Sequence, residues 1–146
     1  MVSALPRSKG LILAADADPA YARDLRQALM DVSEDPDDVL VVLNGQTVVD
    51  YLQQRGKRRP CVVLLDAWLP KVPGLDVLSW IRSRPELRAM PVALMSSGPD
   101  RTLLARAAAL GANTFLLKPY GAPALARTMS AFAYYWRVLD FWCSPA

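Results

Sequence analysis

The chain has 146 residues, 53% hydrophobic and 21% charged, with a net charge of +3. That is enough to bury a core without a metal or disulfide staple, and too apolar a composition for disorder. The sequence contains no histidine, which excludes Ser–His and Cys–His catalysis, His-ligated zinc and a phosphohistidine donor. No apolar run reaches the roughly 20 residues of a membrane span, and MVSALPRSKG lacks the apolar centre of a signal peptide. A cytoplasmic protein away from the membrane is expected, with Cys61 and Cys143, which form no motif, as reduced thiols, one buried and one near the tail.

The predicted elements alternate along the chain. LILAA (11–15) is a first strand that delivers Asp16. In the following AADADPA, Pro19 suits the first turn of a helix and Asp18 its N-cap, and Ala22, Leu25, Leu29 and Val32 form that helix's apolar stripe. Asp31, Glu34, Asp35, Asp37 and Asp38 crowd the next loop. VLVVL (39–43) is a second strand, and Val48, Val49 and Leu52 mark a second helix. The basic run Arg55, Lys57, Arg58 and Arg59 then leads to a third strand, CVVLL (61–65), which runs into Asp66. Leu75, Leu78 and Ile81 give a third helix, and VALM (92–95) a fourth strand ending at Ser96. Leu103, Leu104, Ala107 and Ala108 give a fourth helix, TFLL (114–117) a fifth strand ending at Lys118, and a last helix runs from about Pro123 to Asp140.

The apolar runs are continuous rather than alternating, as strands buried on both faces of a parallel sheet must be. Strand and helix alternating five times predict an α/β doubly wound sandwich in one domain, 1–146, with ragged ends before Ser8 and after Phe141. The acidic and basic loops read as two solvated surfaces. No nucleic-acid patch is expected, because the basic residues are too few and lack helical or aromatic readout elements.

In an open parallel sheet the carboxyl ends of the strands share one edge, where ligands bind. Asp16, Asp66, Ser96 and Lys118 therefore converge on one crevice. Singly, each has an ordinary role: a helix cap, a loop hydrogen bond, a lysine reaching to solvent.

Together, Asp66 with Pro70 and Gly74 beyond it, Ser96, Phe115 and Lys118–Pro119 resemble the receiver domain of two-component response regulators over about residues 9–131. Ser96 and Lys118 follow Asp66 by 30 and 52 residues, intervals that suit a receiver. The resemblance implies a flavodoxin-like, five-stranded parallel sheet of order 2-1-3-4-5. It implies that Asp66 takes a phosphoryl group from a sensor kinase's phosphohistidine, with Mg²⁺ held by Asp16, Asp66 and the backbone carbonyl of Trp68. Lys118 would neutralise a phosphoryl oxygen, and Ser96 and Phe115 would form the switch.

The match departs from the family at one place. Asp16 takes the first position of the usual acid pair, and Ala17 stands at the second, normally the direct metal ligand. Weaker Mg²⁺ binding is expected, and a pseudo-receiver that binds partners without phosphorylation is a second reading. The ring of Trp68 reads either as a shade over the site or as a surface aromatic packed on the loop. Asp-x-Asp at Asp16 and Asp18 is also similar to the opening motif of haloacid-dehalogenase-type phosphatases, with Ser96 and Lys118 as later motifs. That reading gives Asp66 and Pro70 no purpose, and only Asp140 follows the lysine to serve as a metal acid.

Beyond the fifth strand the sequence encodes one helix and an aromatic extension and tail, 132–146, with no effector domain expected. Phe132, Tyr134, Tyr135, Trp136, Phe141 and Trp142 supply half of the chain's aromatic residues. Met129, Phe132, Trp136 and Leu139 make one apolar stripe, and Tyr135, Val138, Phe141 and Trp142 are left as candidate interface residues of a homodimer. A tail folded back on its own domain is the alternative. The tail and the long basic loop are similar to those of the small response regulators that partner phytochrome-type sensor kinases in bacteria, which implies a light-sensing histidine kinase as partner.

Overall fold

The computed structural model describes residues 10–98 and 100–138, the last three in backbone only. Along them run β1 (Ile12–Ala15), α1 (Pro19–Val32), β2 (Val39–Val42), α2 (Gly45–Gln53), β3 (Val62–Asp66), α3 (Gly74–Ser83), β4 (Val92–Ser96), α4 (Arg101–Ala109), β5 (Thr114–Leu117) and α5 (Ala122–Val138). The strands form one parallel sheet of order β2-β1-β3-β4-β5. This is the doubly wound, flavodoxin-like topology that the sequence implied. No described helix is long and apolar enough to cross a membrane.

Burial follows the sheet order. Every residue of β1, β3 and β4 is buried, whereas the edge strands β2 and β5 are partly open. Successive side chains point to opposite faces and build two cores. Leu13, Val63, Leu65 and Leu94 meet Val48 of α2, Leu75, Leu78 and Ile81 of α3 and Leu103 of α4. Ile12, Leu64, Ala93 and Met95 meet Leu25 and Leu29 of α1 and Leu125, Met129 and Phe132 of α5. Each fully buried leucine or isoleucine contributes about 1.5–3 kcal/mol, so these two layers hold the fold.

Caps set the helix starts. Asp18, Asn44 and Asp100 each accept a backbone N–H of the first turn, at 3.0, 2.8 and 2.9 Å. The α4 stripe is narrower than expected. Leu103 and Ala107 are buried, but Leu104 is 48% exposed and Ala108 is exposed. Packed beside the edge strand β5, this short helix covers the core with one i, i+4 row and turns the adjacent row to solvent.

One further expectation is corrected. Cys61 is half-buried and disulfide-bonded rather than a buried thiol, and no described cysteine is free. Pairing depends on Cα separation in space, which spacing in sequence does not report. Cys143 lies outside the described residues. The acidic and basic loops are largely solvent-exposed, as expected, and Arg58 and Asp38 form a 2.7 Å ion pair between them.

Gly74 begins α3 by resting directly on the end of β3. A Cβ there would lie 2.3 Å from the Asp66 carbonyl oxygen and 2.9 Å from the Ala67 Cα, both backbone atoms with no side chain to swing aside. Gly74→Ala is therefore expected to destabilise the fold by about 3 kcal/mol, the upper part of the usual overpacking range. Urea unfolding measures this; a midpoint equal to wild type would contradict the contact.

Candidate functional site

The carboxyl edge of the sheet gathers one polar residue from each of four strands. β1 is followed by Asp16, whose N–H donates to the Val42 carbonyl at 3.0 Å and so extends the sheet by one bond. β3 ends in Asp66, and Ala67 continues the ladder by donating to the Met95 carbonyl at 2.9 Å. β4 ends in Ser96, and the Lys118 N–H donates to the Ser96 carbonyl at 2.8 Å. Asp16, Asp66 and Ser96 are buried, the only polar or charged residues besides Ser33 in that class among those described.

Lys118 joins the two acids. Its Nζ lies 2.5 Å from Asp16 Oδ2 and 2.9 Å from Asp66 Oδ2. Asp16 Oδ1 accepts the Asp18 N–H at 3.0 Å, and Asp66 Oδ1 accepts the Trp68 N–H at 2.9 Å. Each carboxylate thus turns one oxygen to the loop that follows it and one to the ammonium. The enclosed Asp16 Oδ2 makes no hydrogen bond of good geometry, so its contact with Lys118 is an ion pair.

Burial pushes the Asp16 carboxyl above its ordinary value, more strongly than the Lys118 ammonium and the Asp18 N–H pull it down, and nearby Asp66 adds to the rise. Burial works against the Lys118 charge as well, but its close contacts with the Asp16 and Asp66 carboxylates and the charges of both outweigh it, and its pKa is raised. The lysine is a cation held between two carboxylates that have no other ion-pair partner among the described residues.

The remaining predicted residues fall around this centre in different ways. Ala17 is exposed and offers no ligand oxygen from its side chain. Asp18 is exposed and committed to the α1 cap through Ala20 N–H at 3.0 Å. The acid/base that a phosphatase reading requires is therefore turned into a helix cap. Trp68 is 64% exposed, and its backbone N–H is bonded to Asp66. Ser96 Oγ reaches only the Gly98 carbonyl, at 3.4 Å, a weak bond that leaves the hydroxyl able to turn. Phe115 is partly buried against the core on the α4 side of the sheet. Tyr135 is exposed on α5; Val138 is described in backbone only, and Phe141 and Trp142 lie outside the described residues.

Sequence reasoning missed Tyr21 and Gly45. Tyr21, on the first turn of α1, donates its hydroxyl to the Pro119 carbonyl at 3.0 Å, and its ring lies 4.3 Å from Lys118 Nζ. The partners are 98 residues apart, so no local pattern could link them. Gly45 lets α2 touch the loop after β3: its N–H donates to the Pro70 carbonyl at 3.2 Å, where a Cβ would meet the Val72 oxygen at 1.9 Å.

Comparison with known proteins agrees with this arrangement. The chain is 26% identical to the response regulator Rcp1 of Synechocystis sp. over 130 residues, 86% of this chain and 88% of that one. It is 38% identical over 96 residues to the probable methanogenesis regulatory protein FilR2 of Methanothrix harundinacea, and it spans 62% of that relative's length. Among solved structures, the phosphorylated cyanobacterial phytochrome response regulator RcpA superposes with a TM-score of 0.78 at 28% identity, covering 89% of this chain and 94% of RcpA. The bacteriophytochrome response regulator AtBRR superposes with a TM-score of 0.70 at 28% identity, covering 99% of both. Residues 12–130 match the response regulator receiver domain, and with that match the chain belongs to the receiver domain family of two-component signalling.

Proposed function

We propose that the protein is a single-domain response regulator that accepts a phosphoryl group on Asp66 from a sensor histidine kinase and signals by binding other proteins. The observation that carries this reading is Lys118 held between Asp16 and Asp66 at the carboxyl edge of the sheet. Phosphoryl transfer requires positioning and charge neutralisation more than covalent help from the protein. An Asp66 oxygen attacks phosphorus, the bond from phosphorus to the donor atom breaks, and the donor leaves with that electron pair. Lys118 is within reach of the incoming phosphoryl oxygens and offsets their repulsion from the carboxylate. The Ser96 hydroxyl, weakly engaged, turns to a second oxygen, and Phe115 follows it inward to change the α4–β5 surface.

The site fits a divalent cation. Lys118 already touches both carboxylates, so one cation can reach Asp16 and Asp66 together. Mg²⁺ would be held by these two and the Trp68 carbonyl, oxygen ligands of the kind this ion takes. Bound there, it supplies charge neutralisation for the phosphoryl group. Ala17 contributes no carboxylate, and the ion must share Asp16 and Asp66 with an ammonium, so its affinity is low. The same two facts favour the second reading, a pseudo-receiver whose partner binding ignores phosphorylation.

The likeness to RcpA and AtBRR supports a phytochrome-type kinase as the partner and the cytoplasm as the setting, where the Cys61 disulfide would be transient. A homodimer forms through the C-terminal helix region. Its residues are Tyr135, Val138, Phe141 and Trp142, and the first of these lines a groove of about 550 Å³ with Leu116, Thr128, Ala131 and Phe132. Tyr134 and Tyr135 are 45% and 46% exposed on α5, and Leu117 is 57% exposed at the end of β5, more apolar surface than water favours.

Incubation with acetyl phosphate and Mg²⁺, followed by intact-mass analysis, is expected to give one phosphoryl adduct on wild type and none on Asp66→Asn. Labelling of neither, with a native kinase also failing, would leave the pseudo-receiver. Ala17→Asp restores the second acid and is expected to tighten Mg²⁺ at least about tenfold, the effect of one added charge-assisted ligand. Calorimetric titration would reveal an unchanged affinity if Ala17 does not stand at the metal. Tyr135→Glu is expected to shift the protein to monomer in sedimentation equilibrium, and an unaltered mass distribution would remove Tyr135 from the interface.

A further inference from the structure

We infer that Tyr21 is a positioning residue for phosphoryl transfer, holding Lys118 through its ring face and the turn that follows it through its hydroxyl. The inference rests on the reading of Asp66 as phosphoacceptor.

Three contacts meet at this one side chain. The Lys118 ammonium lies 4.3 Å from the ring centroid, inside the range of a cation–π attraction. The hydroxyl donates to the Pro119 carbonyl at 3.0 Å, the residue directly after the lysine. The Tyr120 ring packs edge-on against Tyr21, with centroids 6.3 Å apart at 66°. Tyr21 therefore grips three consecutive residues, 118 to 120, where the chain leaves β5. Burial first, and the charges of Asp16 and Asp66 further, keep its phenol protonated, with a pKa pushed up to about 12 against the pull of Lys118. It is a permanent donor to Pro119 at any ordinary pH.

The need for such a grip follows from Ala17. With one acid missing, Lys118 carries more of the neutralising task, and a lysine has four rotatable bonds with which to leave. Asp16 and Asp66 pull the ammonium inward from one side, and the ring closes the other. The ammonium then stands where phosphoryl oxygens arrive without losing entropy at the moment of transfer.

Tyr21→Phe keeps the ring and removes the hydroxyl; Tyr21→Leu removes both. With acetyl phosphate saturating, the rate of adduct formation is expected to fall about tenfold in Tyr21→Leu and less in Tyr21→Phe, with urea unfolding checking that both variants are folded. A residue acting through Lys118 loses its effect when the lysine is gone, so in a Lys118→Met background Tyr21→Leu should change the rate no further. A purely structural tyrosine would instead give the same fold-loss in both backgrounds. Independently of phosphorylation, the Lys118 side-chain protons should show an upfield ring-current shift in NMR that Tyr21→Phe keeps and Tyr21→Leu abolishes. An unlabelled wild type with this shift present would sink the phosphoacceptor reading but not the placement of Lys118. A Tyr21→Leu rate equal to wild type, independent losses in the double variant, or no ring-current shift would overturn the inference.

Discussion

A single ammonium shared by two buried carboxylates is the interaction on which the functional end of this molecule depends. Asp16 leaves β1 and Asp66 ends β3, and these strands are neighbours in the sheet although β2 separates them in sequence. Their junction is where the strand order reverses, so helices diverge to opposite faces and leave a crevice. Two anions there would repel each other in a poorly solvated space. Lys118, arriving from β5 across β4, turns that repulsion into a bound arrangement. Its backbone is fixed by the Ser96 carbonyl, so the ammonium spans strands that do not touch.

Ala17 alters the balance of this centre. A receiver with two acids beside its phosphoacceptor carries three carboxylates against one lysine and depends on a divalent cation to approach neutrality. Here two carboxylates face one lysine, and the resting site is already nearer to neutral. A loss that would weaken metal binding would also lower the barrier to an approaching anion. Which of these dominates is a matter of distances rather than formal charge, because the ammonium sits against oxygens at 2.5 and 2.9 Å whereas a phosphate approaches from solvent.

The sheet was legible in the sequence because parallel strands buried on both faces must be continuous apolar runs, and all five runs became strands. The convergence of Asp16, Asp66, Ser96 and Lys118 was legible for a topological reason: each ends a strand, and all strands point the same way. What stayed hidden depends on contacts between distant segments. Leu104 looks as apolar as Leu103, and only the position of α4 beside the open edge decides which is covered. Tyr21 is an unremarkable helix residue until the turn after β5 is brought against it. The Arg58–Asp38 pair and the state of Cys61 are equally invisible, since neither spacing nor composition reports proximity.

The absence of a side chain at Gly74 gives the site a hard side and a soft side. Along β3 and α3, backbone lies directly on backbone, with no layer of rotamers between to yield. Toward β4 and β5 the backbone ladder continues, but the side chains beside the site are a serine with a 3.4 Å hydroxyl contact and a half-covered phenylalanine at a sheet margin. If Asp66 takes the proposed phosphoryl group, work done at its carboxylate would meet an anvil in one direction and a more yielding side in the other, and displacement would be channelled toward the α4–β5–α5 flank. That flank carries the exposed Leu104, Leu117 and Tyr135, which makes the direction of least stiffness also the direction of the readable surface.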